Sequence, residues 1–393
     1  MNPWVNPVAR HYFDNAATSY PKPTAVWDAV DQYQRQEGAA VGRGGYASTI
    51  RVSAIVDRCR TRLAELFRAE SPSQICFGFN GTDVLNQALH GLVQPGDRVL
   101  TTELEHNSVI RPLHELHQRH GVTVIRVPAT AIGTIEVDTF REALACRPRV
   151  VVLVHASNVS GALLPLADLA TLARDAGAIV VVDAAQTAGH VPIDLGELPI
   201  DVLACSGHKG LLGPLGTGIL YVRPECADRL QTTRQGGTGS DSEDDEHPSL
   251  LPSKYEAGNH NAPGLCGLEA GVNWILQRSP GQLHRHECAL VSQLIGGLQT
   301  LPGLTLHGPP VEHPRVGVLS ITAEGWSPQE LATTLDQAFG IEVRAGLHCA
   351  PGAHRALGTL SSGGTVRFSV GPLTTSDEVE LVINALSEIT GVR

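Results

Sequence analysis

Between about residue 50 and residue 222 the sequence switches repeatedly between helical periodicity and short runs of Val, Ile and Leu, and an α/β domain is the architecture that satisfies such a pattern. Ile50 to Arg68 reads as an amphipathic helix, Ile75-Cys76-Phe77 as a strand, Gly81 to Leu92 as a helix and Arg98 to Thr102 as a strand. A helix over Val109 to His120 and a strand over Val122 to Val127 follow. The runs Val150 to Val154, Ile179 to Val182, Val202 to Cys205 and Ile219 to Val222 suit a mostly parallel sheet covered on both faces. From Gly236 to Pro263 the pattern lapses into an expected loop, and its acidic cluster Asp241, Glu243, Asp244, Asp245 and Glu246 reads as solvated, without the spacing of a metal site. From about Leu265 helices lead to strands near Leu304 to Leu306 and Val316 to Ile321, a helix over Pro328 to Ala338, a strand near Val366 to Val370 and a last helix over Ser376 to Leu386. The expected division is a large domain over residues 1–264 and a small α+β domain over 265–393.

A chain of 393 residues is too long for one simple core, in keeping with two lobes. Its 42% hydrophobic and 18% charged residues fit a soluble enzyme, and a net charge of -11 argues against nucleic-acid and anionic-membrane partners. No apolar run is long enough to cross a bilayer, and Met1-Asn2-Pro3-Trp4 lacks the basic and apolar regions of a signal peptide. The eight cysteines, scattered without CxxC pairs, read as the reduced thiols of a cytoplasmic protein.

The chemistry is concentrated around one of only three lysines, Lys22, Lys209 and Lys254. Lys209 follows the strand-like run in Ala204-Cys205-Ser206-Gly207-His208-Lys209-Gly210, whereas Lys22, between two prolines, and Lys254, in a polar loop, read as solvated side chains. A crowded, partly deprotonated amine can trap an aldehyde cofactor such as pyridoxal phosphate. That cofactor also needs a carboxylate for its ring nitrogen, a phosphate cradle and a group on the ring face. Asp183, at the end of Val180-Val181-Val182-Asp183, sits where α/β sheets bind ligands. Asn80-Gly81-Thr82-Asp83 opens a helix and offers an anion site, to which Ser206 and His208 can add donors. His106, in Glu105-His106-Asn107-Ser108, arrives at the same sheet edge. Each has an ordinary alternative: Asp183 could cap a turn, Gly-Thr before a helix is common, and a lone histidine is more often a satisfied surface residue.

Together these residues resemble the cysteine desulfurases, in the class V aminotransferase group of fold-type I pyridoxal-phosphate enzymes. The resemblance runs from Tyr12-Phe13-Asp14-Asn15-Ala16-Ala17-Thr18 to Arg367-Phe368-Ser369-Val370-Gly371. Its most specific parts are Val182-Asp183-Ala184-Ala185-Gln186, Ser206-Gly207-His208-Lys209 and Arg344-Ala345-Gly346-Leu347-His348-Cys349-Ala350. It implies a large domain with a seven-stranded mixed sheet, on which Lys209 holds the cofactor covalently, Asp183 pairs with the ring nitrogen and Gln186 bonds the ring hydroxyl. His106 would stack on the ring and move protons, Gly81, Thr82, Ser206 and His208 would hold the phosphate, and Asn158 and Arg367 would receive the substrate carboxylate, with Arg344 alongside. Thr238, in Gly236-Gly237-Thr238-Gly239, matches a position that reaches the phosphate of a partner subunit and so implies a homodimer.

Cys349 separates a desulfurase from its relatives. Its segment is loop-like and contains Arg344, His348 and His354, a setting that favours a thiolate. Three candidate ligands in one loop without a second cluster do not make a zinc site. The arginine-bearing loop resembles group II of the family, with Leu347 where a second histidine often stands and Asn80 where many members have glycine. The implied reaction converts L-cysteine to L-alanine and leaves a persulfide on Cys349 for a sulfur-acceptor protein or small thiol. A selenocysteine lyase or a cystine C–S lyase of the same fold, and a non-catalytic scaffold in a sulfur-transfer complex, are the alternatives.

Overall fold

The computed structural model describes residues 9–42, 44–239 and 244–391. The Met1 to Trp4 opening, and Asp241 and Glu243 of the acidic cluster, lie outside these.

Among the described residues a short strand β1 (His11–Tyr12) comes first, and the large sheet follows: β2 (Ile75–Gly78), β3 (Arg98–Thr102), β4 (Thr123–Val127), β5 (Val150–Val154), β6 (Ile179–Asp183), β7 (Val202–Ser206) and β8 (Gly218–Val222). Their spatial order is β2-β8-β7-β6-β5-β3-β4. β8 runs antiparallel to both its neighbours and the other pairings are parallel, so the sheet is mixed by one strand. The apolar runs have the period of two that a doubly covered sheet demands. Val150, Val152, Ile179, Val181, Val202 and Ala204 pack into the core on one face, while Val151, Leu153, Val180, Val182, Leu203 and Cys205 pack into the core on the other.

The helices of this lobe are α1 (Thr24–Gln32), α2 (Ala47–Phe67), α3 (Gly81–Leu92), α4 (Asn107–His120), α5 (Val137–Ala143), α6 (Leu166–Asp175), α7 (Pro224–Ala227) and α8 (Ala262–Leu276). Apolar stripes of α3 (Val84, Leu85, Leu89) and α4 (Val109, Leu113, Leu116) cover the first face, and those of α2, α6 and α8 cover the second. The boundary expected at residue 264 falls inside α8, whose Leu265, Leu268, Val272 and Ile275 belong to the second-face core. Lys254 is a correction. It is only 9% exposed, and its Nζ donates to the Ala227 carbonyl 2.7 Å away at the end of α7. The stem of a lysine packs well against apolar surface, which a polar sequence context does not reveal.

The second lobe opens with α9 (Pro280–Leu298) and has a four-stranded antiparallel sheet of β9 (Leu304–His307), β10 (Val318–Ala323), β12 (Arg344–Gly346) and β13 (Thr365–Ser369), in the order β12-β13-β10-β9. The short strand β11 (Ile341–Glu342) pairs in parallel with β1, His11 against Ile341. Helices α10 (Pro328–Phe339), α11 (Pro351–Ala356) and α12 (Ser376–Gly391) complete it. Phe13 of the N-terminal segment is fully buried here beside Leu294, Ile321 and Phe368. Helices α1, α5, α6 and α11 fall where the sequence reading places no element. α5 and α11 span at most two turns, too short for a periodic stripe to show. No helix among the described residues is long and apolar enough to cross a membrane, and all eight cysteines are unpaired.

Candidate active site

The carboxyl ends of β3, β5, β6 and β7 deliver Thr102, Val154, Asp183 and Ser206 to one edge of the large sheet, where an α/β architecture leaves room for a ligand. A cleft of about 690 Å³ opens there, within the range of small-molecule sites. Of the residues singled out from sequence, Gly81, Thr82, His106, Asn158, Asp183, Gln186, Ser206, His208, Lys209, Arg344 and Arg367 line it. Cys349 and Thr238 do not.

Lys209 emerges from the end of β7 on a tightly packed turn. A Cβ on Gly210 would lie 2.4 Å from the Ala188 carbonyl, so only glycine lets the chain pass this close. Burial lowers the Lys209 amine to about 8, against the opposing attraction of Asp183, and Arg367 and Arg344 lower it further. Asp183 is 3% exposed. Burial raises its carboxyl, while the Ala185 N–H, 2.9 Å from Oδ1, and Lys209 act the other way.

The start of α3 could hold an anion. Asn80 caps the helix by accepting from the Asp83 N–H, and the Gly81 N–H donates to Ser206 Oγ at 3.2 Å. A Cβ on Gly81 would sit 2.5 Å from that oxygen. Thr82 Oγ1 lies 2.7 Å from Ser108 Oγ. His208 Nδ1 is buried without a hydrogen-bond partner among the described residues, an unmet requirement that a phosphate oxygen would satisfy. Burial, Lys209 and Lys22 lower the His208 imidazole to about 4, so near neutral pH it is uncharged. Donor set, helix terminus and amine together fit pyridoxal phosphate.

His106 caps α4. Its Nδ1 accepts from the Ser108 N–H at 3.0 Å, which leaves the ring proton on Nε2. Burial, then Lys209, Arg344, Arg367 and Arg111, lower it to about 4. The Gln186 amide nitrogen donates to the Ala16 carbonyl at 3.0 Å and retains a second N–H for the cleft. His190 bridges the Gln186 carbonyl, 2.9 Å from Nε2, and the Glu287 carboxylate of α9, 2.5 Å from Nδ1.

Arg367 is 1% exposed. Its guanidinium meets Asp14 at 2.5 Å and the Asn158 carbonyl at 3.1 Å, and its buried Nε has no partner among the described residues. Cys349 stands beside the cleft, its Sγ 3.8 Å from the Arg344 guanidinium. His348 and Cys349 both adopt left-handed backbone, with φ of 48° and 59°, a conformation that costs about 1–3 kcal/mol per non-glycine residue and needs external support. That support is visible: Asn158 Nδ2 donates to the His348 carbonyl and the Asn107 N–H to the Cys349 carbonyl, each at 2.7 Å.

Three contributors have no assigned role in the sequence reading. Asp14 lies in the quoted Tyr12-to-Thr18 stretch but carries no role there, Ser108 is readable only as an ordinary helix-start residue, and Lys22 is read as solvated. Lys22 is in fact 8% exposed, and burial lowers its amine to about 8.

The sequence model of the family described as Aminotransferase class-V matches residues 11–382. A probable cysteine desulfurase of Methanothermobacter thermautotrophicus is 33% identical over 385 residues, covering 97% of this chain and 95% of the relative. One of Vibrio cholerae is 33% identical over 383 residues, covering 95% and 92%. Among solved structures, the apo cysteine desulfurase of Thermococcus onnurineus superposes with a TM-score of 0.91 at 32% identity, over 97% of this chain and 95% of that one. A cysteine desulfurase of Escherichia coli gives 0.87 at 30%, over 98% and 95%.

Proposed function

Because the chain belongs to the aminotransferase class V family and, within it, to the cysteine desulfurases, we propose that it takes the sulfur of L-cysteine onto Cys349 and releases L-alanine, with pyridoxal phosphate bound at Lys209. The observation that carries this reading is the Cys349 sulfur, 3.8 Å from an arginine that lines the same cleft as Lys209 and Asp183.

Gly81, Thr82, Ser206 and His208 would hold the phosphate, Asp183 the ring nitrogen, Gln186 the ring hydroxyl and His106 the ring face. When bound, the cofactor supplies the electron sink that makes bonds at the substrate Cα and the C–S bond beyond it labile. Lys209 Nζ, with its lowered proton affinity, takes the proton from Cα. Arg367 and Asn158 hold the substrate carboxylate, the former through two of its guanidinium N–H groups. Asp183, when ionised, would keep a proton on the ring nitrogen. Cys349 Sγ, held beside Arg344 and once deprotonated, attacks the substrate sulfur. An S–S bond forms and the C–S bond breaks, its electron pair remaining on the substrate carbon, which takes up a proton to become the methyl group of alanine. The transfer therefore needs no external oxidant, and a thiol acceptor then discharges the persulfide.

Phe79 and Leu215 line the cleft yet are 48% and 66% exposed. Covering these apolar side chains with a second copy supports a homodimer, with Thr238 serving the partner's cleft. The eight unpaired cysteines support a reducing compartment, and the cytoplasm is the proposed one. The test is product analysis after addition of L-cysteine. Alanine in step with sulfur bound at Cys349 is expected, whereas pyruvate and ammonia would make the protein a lyase.

A further inference from the structure

Lys22 stands between two prolines in the stretch that leads from β1 to α1, where a lysine would ordinarily reach water. It is nevertheless buried, and among the described residues no carboxylate offsets the burial that lowers its amine. Its Nζ has two hydrogen-bond partners, Ser19 Oγ at 2.6 Å and the His208 carbonyl oxygen at 3.2 Å. The same carbonyl receives the Ser19 N–H at 3.0 Å, Thr18 Oγ1 at 3.1 Å and Ser19 Oγ at 3.1 Å. A carbonyl oxygen has two lone pairs, so this one is saturated with donors from a single segment. The peptide bond it belongs to joins His208 to Lys209.

A long charged side chain is costly to desolvate and to order. Here it is spent on one hydroxyl and one carbonyl, and that carbonyl lies between the two residues assigned to the cofactor phosphate and the cofactor aldehyde. We propose that Lys22, with Ser19, is a positioning residue that fixes the His208–Lys209 peptide plane and so aims both side chains into the cleft. The positive charge has a second effect in the same direction. It is among the groups that keep the His208 imidazole uncharged, in the state that can donate one ring N–H and accept at the other nitrogen. The segment is itself held from both lobes, since the Asn15 side-chain amide donates to the Ser369 carbonyl and Gln186 to the Ala16 carbonyl. The peptide plane is thus referenced to the scaffold of both lobes.

The inference rests on Lys209 being the cofactor lysine, and the experiment separates the two. Wild-type protein loaded with pyridoxal phosphate is reduced with borohydride and mapped: label on Lys209 supports the underlying reading, and label on another lysine overturns that reading and this inference with it. With Lys209 labelled, Lys22→Met is loaded in the same way, and its visible absorption band and rate of cofactor release are measured beside the melting of the cofactor-free protein. The expected result is a displaced band and release faster by about tenfold or more, as for loss of one charge-assisted hydrogen bond, with Lys22→Arg restoring both towards wild type. A wild-type band and release rate overturn the inference, including when melting falls, because that pattern is a purely structural lysine. If Lys22→Met does not fold, Ser19→Ala removes only the hydroxyl on which the amine rests. The same displacement of band and release rate supports the inference, and wild-type values of both overturn it.

Discussion

Arg344 and Arg367 stand directly opposite each other on the neighbouring antiparallel strands β12 and β13, and both guanidinium groups line one cleft. Like charges so placed repel unless an anion lies between or beside them. Asp14 answers for Arg367, while Arg344 turns one nitrogen to the Cys349 sulfur. The pair thus leaves the cleft with positive charge, as the proposed binding of a substrate carboxylate requires.

Arg367→Ala should raise the KM for cysteine steeply, since losing a buried charged partner costs about 2–5 kcal/mol. The variant also leaves Asp14 without its arginine. The visible spectrum of the loaded enzyme should persist, because no residue of the cofactor cradle is touched. Steady-state kinetics with an absorption spectrum checks both, and an unchanged KM and kcat would remove Arg367 from the substrate site.

Lys209→Ala should abolish turnover and the visible absorption of the loaded enzyme, although cofactor can stay bound by its phosphate and ring contacts. Absorption spectra before and after dialysis make the measurement. Turnover at a tenth of the wild-type rate would contradict the role of this amine.

Cys349→Ser should bind cysteine and show the early spectral changes but fail to form persulfide or release alanine above background. Serine keeps the side-chain shape, but its hydroxyl is a poor nucleophile towards sulfur near neutral pH. Intact-mass spectrometry of wild-type protein given cysteine without reductant should find one added sulfur on Cys349. Sulfur release by the serine variant at the wild-type rate, with pyruvate, would point to lyase chemistry.

Gly81→Ala should weaken cofactor binding while leaving α3 formed. The new methyl would lie 2.5 Å from Ser206 Oγ, displacing one donor of the phosphate cradle, whereas alanine is a better helix residue than glycine. Equilibrium titration with pyridoxal phosphate reads the first effect and circular dichroism the second.

Glu287→Gln should change how stability depends on pH. Burial alone would lower His190, but the charge and hydrogen bond of Glu287 outweigh it and raise the imidazole above its ordinary value. A raised histidine contributes stability that is full below the unfolded value of about 6.5 and is lost as pH rises through the folded value. Removing one partner of a buried pair costs about 3–5 kcal/mol, so the gap between wild type and variant should be large at pH 6 and shrink towards pH 9. Urea unfolding at the two pH values measures it, and a constant gap would show that Glu287 does not raise His190.

The sheet strands and the lysine turn were legible because each is a local pattern: an apolar run ending in Asp183, another ending in Ser206, and a glycine-rich turn after Lys209. Asp14 and Lys22 were not legible, because what defines them is contact with Arg367 and His208, far away in sequence. Arg344 could be picked from its motif, yet its strand of three residues is too short to announce itself, and its position opposite Arg367 is a fact of register. The left-handed His348 and Cys349 are likewise invisible in a sequence, because neither residue type asks for that backbone and the tertiary hydrogen bonds from Asn107 and Asn158 impose it.

The pairing of β1 with β11 has a consequence for how the protein comes into being. His11 is synthesised long before its partner Ile341. The large sheet can assemble while translation continues, since its strands all lie between residues 75 and 222. The segment that carries Asp14, Ser19 and Lys22 must wait, exposed, until β13 has left the ribosome, because Asp14 and Asn15 make contacts with Arg367 and Ser369. That segment is therefore the last to lock, and a nascent chain without the second lobe should already hold a folded sheet but no finished cleft.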